Sequence, residues 1–144
     1  VIGLVMDDEG ITHDPRKRLS IAGKILDRAT SIGIPAEDVV IDPLAMAVSA
    51  DPNACRVTLE TIRLVRKELG LNMTEGSSNV SFGLPNREIL NNAFVALSIL
   101  HGVSCPIANP VKITSMVKAA DLLMGRDDFA MSWVEHFQQT QQEK

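Results

Sequence analysis

The sequence predicts an α/β protein built from about four strand–helix units, and three observations carry that reading. Four apolar runs of strand length recur along the 144 residues: VIGLVM (Val1–Met6), VVIDPL (Val39–Leu44), LNMTEGSSNVS (Leu71–Ser81) and SCPIANP (Ser104–Pro110). After each comes a helix-length segment in which apolar residues return every three or four positions, the spacing of one helical face. Punctuation agrees, since Asp14-Pro15 and Asp51-Pro52 read as an N-cap followed by proline at the first helical position, and Gly33, Gly70 and Gly102 fall where helices should end. Strands alternating with helices imply a parallel sheet with right-handed crossovers.

Along the chain, the first run starts at residue 1, and Asp7, Asp8 and Glu9 with Gly10 read as a solvated turn. The first helix places Leu19, Ala22, Leu26 and Ala29 on one face, and the second does the same with Leu59, Ile62, Val65 and Leu69. Helix three, from about Arg87 to Leu100, carries Ile89, Ala93, Phe94 and Leu97, is apolar on most sides and is expected to be deeply packed. The fourth aligns Ile113, Val117, Ala120 and Leu123. A last helix, DDFAMSWVEHF, is expected to pack Phe129, Trp133 and Phe137 ahead of a polar, frayed tail of Gln and Glu. Two architectures accommodate this order: an open four-stranded α/β sheet, or half of a TIM-type (β/α)8 barrel, which needs ~250 residues in full. A strand pattern beginning at the first residue favours the half barrel, with the front of a longer protein missing.

Composition narrows the function. An apolar fraction of 45%, a charged fraction of 22% and a net charge of −4 are ordinary for a globular domain and unlike a nucleic-acid surface. No Tyr, one Trp and four Phe leave few platforms for stacking bases. Cys55 and Cys105 lie far apart, with no Cys or His at metal-ligand spacing, and read as reduced, partly buried thiols of a cytoplasmic protein with no metal site. No run is long enough to span a bilayer, and no signal-peptide pattern is present. His13, His101 and His136 are not paired with a serine or cysteine in a nucleophilic arrangement, and no glycine-rich phosphate motif occurs.

In either architecture, functional residues gather where strands end and loops toward helices begin. Strand two carries Asp42, strand three ends in Glu75, Ser77, Ser78, Asn79 and Ser81, and strand four ends in Asn109. A carboxylate inside VVIDPL is costly to bury unpaired. Asp42 therefore either accepts hydrogen bonds from a ligand with adjacent N–H donors or caps a neighbouring loop through backbone N–H groups. Asn79 can donate and accept while staying neutral, which suits a site that steadies a developing charge; the other reading is a turn asparagine. Isolated serine hydroxyls more commonly serve local backbone groups.

Three stretches, IDPL at Ile41–Leu44, GSSNVSFGLPNREILNNAFVALSILHG at Gly76–Gly102 and IANP at Ile107–Pro110, resemble in order the pterin-binding methyltransferase family. That family includes methyltetrahydrofolate:corrinoid methyltransferases and the folate module of cobalamin-dependent methionine synthase. The resemblance implies that the chain matches the C-terminal half, strands five to eight, of a TIM-type (β/α)8 barrel. It also implies movement of the methyl group of methyltetrahydrofolate to or from a cob(I)alamin-type corrinoid carried by a partner protein or module. By resemblance, Asp42 grips the pterin ring, Asn79 is the catalytic residue near N5, and Gly76 and Ser78 are close neighbours of the ligand. Arg87 and Asn91 match the following helix, with either a packing role or ligand contact, and Asn109 is a further candidate for the pterin. A homodimer is expected on the same ground.

The related dihydropteroate synthases share the pterin pocket but carry an Arg-Lys pair where this chain has Asn79-Val80, and their late Arg-x-His signature is absent around IANP. A cationic pair suits a pyrophosphate leaving group and a neutral amide does not, so methyl transfer ranks first. A non-catalytic half barrel serving binding or assembly is the other alternative. The family's N-terminal strands supply further pterin ligands, so this chain alone is expected to bind folate weakly or not at all.

Overall fold

A computed structural model describes residues 1–142. Three short strands, β1 (Ile2–Leu4), β2 (Val40–Asp42) and β3 (Asn72–Met73), form a parallel sheet in the order β1-β2-β3. Register pairs Gly3 with Ile41 and Leu4 with Asp42 on one side, and Ile41 with Met73 on the other. β2 is thus central, and Asp42 closes its C-terminal end. The connections are helices, α1 (Pro15–Ser31) between β1 and β2 and α2 (Ala54–Leu69) between β2 and β3, with α3 (Arg87–His101) after β3.

The fourth expected strand is reduced to a single parallel bridge, Gly76 to Ile107. Ile107 N–H donates to Glu75 O at 2.8 Å and Ser77 N–H donates to Ile107 O at 3.1 Å. Cys105 N–H also donates to Met73 O at 3.1 Å, so the residues on either side of Pro106 make the contact while Pro106, which has no N–H, faces away from it. The third run is also shorter than expected. It leaves the sheet after Met73, turns with Asn79 N–H on Gly76 O at 3.0 Å, and residues Asn79–Ser81 form a 3-10 turn closed by Phe82 N–H on Asn79 O at 3.2 Å.

Asp14 caps α1 as expected, its Oδ1 accepting from Arg16 N–H at 2.8 Å ahead of Pro15. At the second Asp-Pro, however, Asp51 accepts from Asn53 N–H and α2 begins only at Ala54, because residues 51–53 are spent in a turn. α2 ends at Gly70, whose φ of 68° is a left-handed cap that glycine adopts without a Cβ clash.

The core lies between the sheet and the helices: Val5, Ala22, Ala29, Val39, Ile41, Ile62, Val65, Leu71, Met73 and Val103 form one buried cluster. A Cβ at Gly3 would stand 2.6 Å from Ile25 Cγ2, so this face of β1 is pressed against α1. Side chains alternate across a strand. Ile2 and Leu4 therefore point to the opposite face, where they are 61% and 45% exposed. The helices cover one face of the sheet within this unit and leave the other open.

That arrangement corrects the expectation for α3. Only Phe94, Val95, Ser98 and Ile99 are buried, while Ile89, Ala93, Leu97 and Leu100 are exposed, because a helix laid on a sheet from one side buries a single stripe.

Residues from Asn109 onward form a second compact unit. It contains α4 (Pro110–Leu123) and α5 (Met131–Gln142), joined by hydrogen bonds from Lys118 Nζ to Ser132 Oγ and between Ser115 Oγ and His136 Nε2. The expected packing of Phe129 and Phe137 does not occur: both are exposed, and Trp133 is half-buried. Asp127 caps α5 by accepting from Ser132 and Trp133 N–H, both at 2.9 Å, which leaves Phe129 ahead of the helix and off its face. The polar tail is helical through Gln142, and Glu143 and Lys144 lie outside the described residues. Among the described residues no helix is long and apolar enough to cross a membrane.

Candidate active site

The C-terminal ends of β2 and β3 carry the polar groups that stand out. Asp42 is half-buried, and its Oδ1 accepts from Leu44 N–H at 2.8 Å. Burial pushes its carboxyl above the ordinary range, and the Leu44 N–H partly opposes that. Leu44 itself has a φ of 59°, a left-handed conformation that a leucine adopts only under restraint.

The restraint comes from a residue that sequence reasoning passed over. Arg18, on α1, is 1% exposed and spreads its guanidinium over backbone carbonyls, donating to Thr12 O and Pro43 O at 2.8 Å and to Leu44 O at 3.1 Å. Thr58 Oγ1, from α2, adds a bond to Leu44 O at 3.2 Å. An arginine among Ile21, Ala22 and Ile25 on an otherwise apolar helical stripe was the available signal.

Beyond β3, Glu75 is fully buried. Ser77 Oγ donates to its Oε1 at 3.3 Å, and its Oε2 has no hydrogen-bond partner. Burial, with the Asp42 charge adding to it, raises the Glu75 pKa to about 7 against the Ser77 bond. Cys55 on α2 is half-buried, and burial together with the Glu75 charge pushes its thiol up, so it is a poor nucleophile. Cys105 is exposed, contrary to the expectation of two partly buried thiols.

The turn that follows presents Asn79. Its Nδ2 would lie 2.9 Å from a Cβ placed on Gly76, so the amide can rest across that position only because residue 76 is glycine. Ser78 and Asn79 are exposed, whereas Ser77, Val80 and Ser81 are buried. Arg87 supports the turn from α3: Nη2 donates to Ser78 O at 2.7 Å and Nε to Ser81 Oγ at 3.0 Å, over the face of Phe82. Ser81 in turn donates to Asn91 Oδ1 at 2.7 Å. Arg87 and Asn91 are thus occupied in holding the loop. The two strand-end loops also touch, with Val48 N–H on Val80 O at 3.0 Å and Ala45, Val80 and Phe94 buried together.

Asp42, Gly76, Ser78, Asn79 and Arg87 therefore gather at adjacent strand ends. Asn109 opens the second unit, where its side chain accepts from Val111 N–H at 3.0 Å and caps α4. Asp7, Glu9 and Gly10 form the expected turn, in which Glu9 N–H binds Asp7 Oδ1. The described residues hold no group of three or more His, Cys, Asp or Glu side chains able to take a metal ion.

A family described as "Pterin binding enzyme" matches residues 7–109. The methylcorrinoid:tetrahydrofolate methyltransferase of Eubacterium limosum is 26% identical over 96% of this chain and 52% of that protein. The methionine synthases of Mycobacterium tuberculosis and Mycobacterium leprae are 29% and 28% identical over 81% and 78% of this chain, and over 10% of each relative. The chain spans about half the length of the first of these relatives and a tenth of the other two.

Proposed function

Because the chain belongs to the pterin-binding enzyme family, we propose that it forms part of a methyltransferase moving a methyl group between N5 of a tetrahydrofolate and a corrinoid. The observation that carries this reading is the pairing of a half-buried, backbone-anchored Asp42 with an exposed Asn79 amide on the neighbouring strand-end loop. In this reading the uncovered face of the sheet, with Ile2 and Leu4, lines the interior of a TIM-type barrel of which the chain is the C-terminal half.

A pterin presents an amino group beside a ring N–H, two parallel donors that a carboxylate accepts as a fork. Asp42 Oδ1 already takes the Leu44 N–H, which fixes the plane of the group, and each carboxylate oxygen has room for another donor. Such charged hydrogen bonds contribute roughly 1.5–3 kcal/mol each. Gly76 and Ser78 provide close, side-chain-poor surface beside the ring.

Methyl transfer from N5 needs different help, because a tertiary amine is a poor leaving group unless the nitrogen gains a proton or hydrogen bond as the C–N bond breaks. An Asn79 N–H aimed at N5 acts where charge changes and favours the transition state over the ground state. The corrinoid is assigned to a separate protein or module, in keeping with the likeness to a methylcorrinoid:tetrahydrofolate methyltransferase. Bound there, it supplies the nucleophilic centre that exchanges the methyl group.

The test is a methyl-transfer assay on the full-length gene product with 5-methyltetrahydrofolate and a reduced corrinoid, read by corrinoid absorbance. Asn79→Ala is expected to lower kcat by about a hundredfold with little change in folate affinity. Folate binding with no transfer to free or protein-bound corrinoid would replace this reading with a non-catalytic pterin-binding role.

A further inference from the structure

Glu75 is a costly residue that the proposed chemistry does not use. It is fully buried, one carboxylate oxygen has no partner, and no cation pairs with it among the described residues. The groups that face it are Asp42 from the end of β2, Cys55 from α2 and Ser77 from its own loop, of which Asp42 is a second carboxylate. A buried carboxylate that also feels the charge of a second one does not keep its own charge cheaply. A ligand seated over the strand ends removes still more water from the pair.

We infer that Glu75 is a positioning residue for pterin recognition, taking up a proton when the ligand covers the strand ends so that a single negative charge, on Asp42, meets the ligand's N–H donors. The inference rests on the proposed pterin site. The balance is simple: solvent supplies the proton, the Glu75 carboxylate becomes a carboxylic acid, and nothing is oxidised or reduced. Its titration near neutral pH places the uptake in the physiological range. Below that range Glu75 is already neutral and binding takes up no proton there.

The experiment is calorimetric titration of the full-length gene product with 5-methyltetrahydrofolate, in buffers of different ionisation enthalpy at about pH 6 and about pH 8. Wild type is expected to take up close to one proton per folate at the higher pH and almost none at the lower, with affinity falling about tenfold between them. Glu75→Gln keeps the shape without the titration and is expected to show no uptake and equal affinity at both. Infrared difference spectra of wild type should gain a carboxylic-acid carbonyl band on binding at the higher pH, which decides the matter even if the variant does not fold. Undiminished uptake in Glu75→Gln, or no uptake and no such band in wild type, overturns the inference and leaves the pterin site standing. Absence of folate binding by wild type at both pH values overturns the pterin site itself, and the inference with it.

Discussion

The ends of β2 and β3 lie side by side and are finished in opposite ways. After β2, a left-handed Leu44 is held by Arg18, Thr58 and the Asp42 carboxylate, so every strained or charged group has a partner. After β3, Glu75 is more deeply buried than Asp42, yet it has one hydroxyl for company and one oxygen with none. The first loop is built to keep a carboxylate in place. The second keeps a carboxylate close to losing its charge. Both costs fall on the same edge, where a ligand can use them, and a fold optimised for stability alone would include neither.

The clamp gives the largest expected effect. Arg18→Met takes the guanidinium away from three backbone carbonyls, leaving Thr58 alone on Leu44 O, and is expected to destabilise the protein by about 3 kcal/mol or more in urea unfolding. A loss below about 1 kcal/mol would show that the β2 loop holds itself.

The second loop should respond with the opposite sign. Burial raises Glu75 in the folded protein to about 7 from the usual 4.5, so folding favours its protonated form and stability is lost as pH climbs through that window. Glu75→Gln removes the penalty, stabilising by about 3 kcal/mol above the window and by almost nothing below it. Thermal unfolding of both proteins across pH reads this directly, and parallel curves would mean that Glu75 is solvated. Smallest is Arg87→Ala, expected to cost about 1 kcal/mol by loosening the turn at Ser78 and Ser81.

Asp42 was legible because an acid inside VVIDPL breaks an apolar run, and strand alternation with helices was legible because the 3.6-residue pattern in α1 and α2 is clean. Other features depend on tertiary neighbours that no local pattern reports. Arg18 looks like surface until the loop it binds is in place, and Glu75 looks like turn chemistry until Cys55 and Asp42 close around it. The shortness of the fourth run, a single bridge from Ile107 to Gly76, likewise depends on how it meets the chain after β3. α3 misled because its apolar residues exceed what one face of a sheet can cover, so Ile89 and Leu100 remain exposed.

The most direct test of the central claim, that these adjacent strand ends hold a pterin, is the affinity of the full-length gene product for 5-methyltetrahydrofolate with and without Asp42→Asn. The asparagine retains an oxygen for Leu44 N–H, so the loop and the melting temperature should hold while the fork to the ligand is lost. The account predicts affinity weakened roughly 10- to 100-fold. An unchanged Kd in a folded Asp42→Asn protein would contradict it.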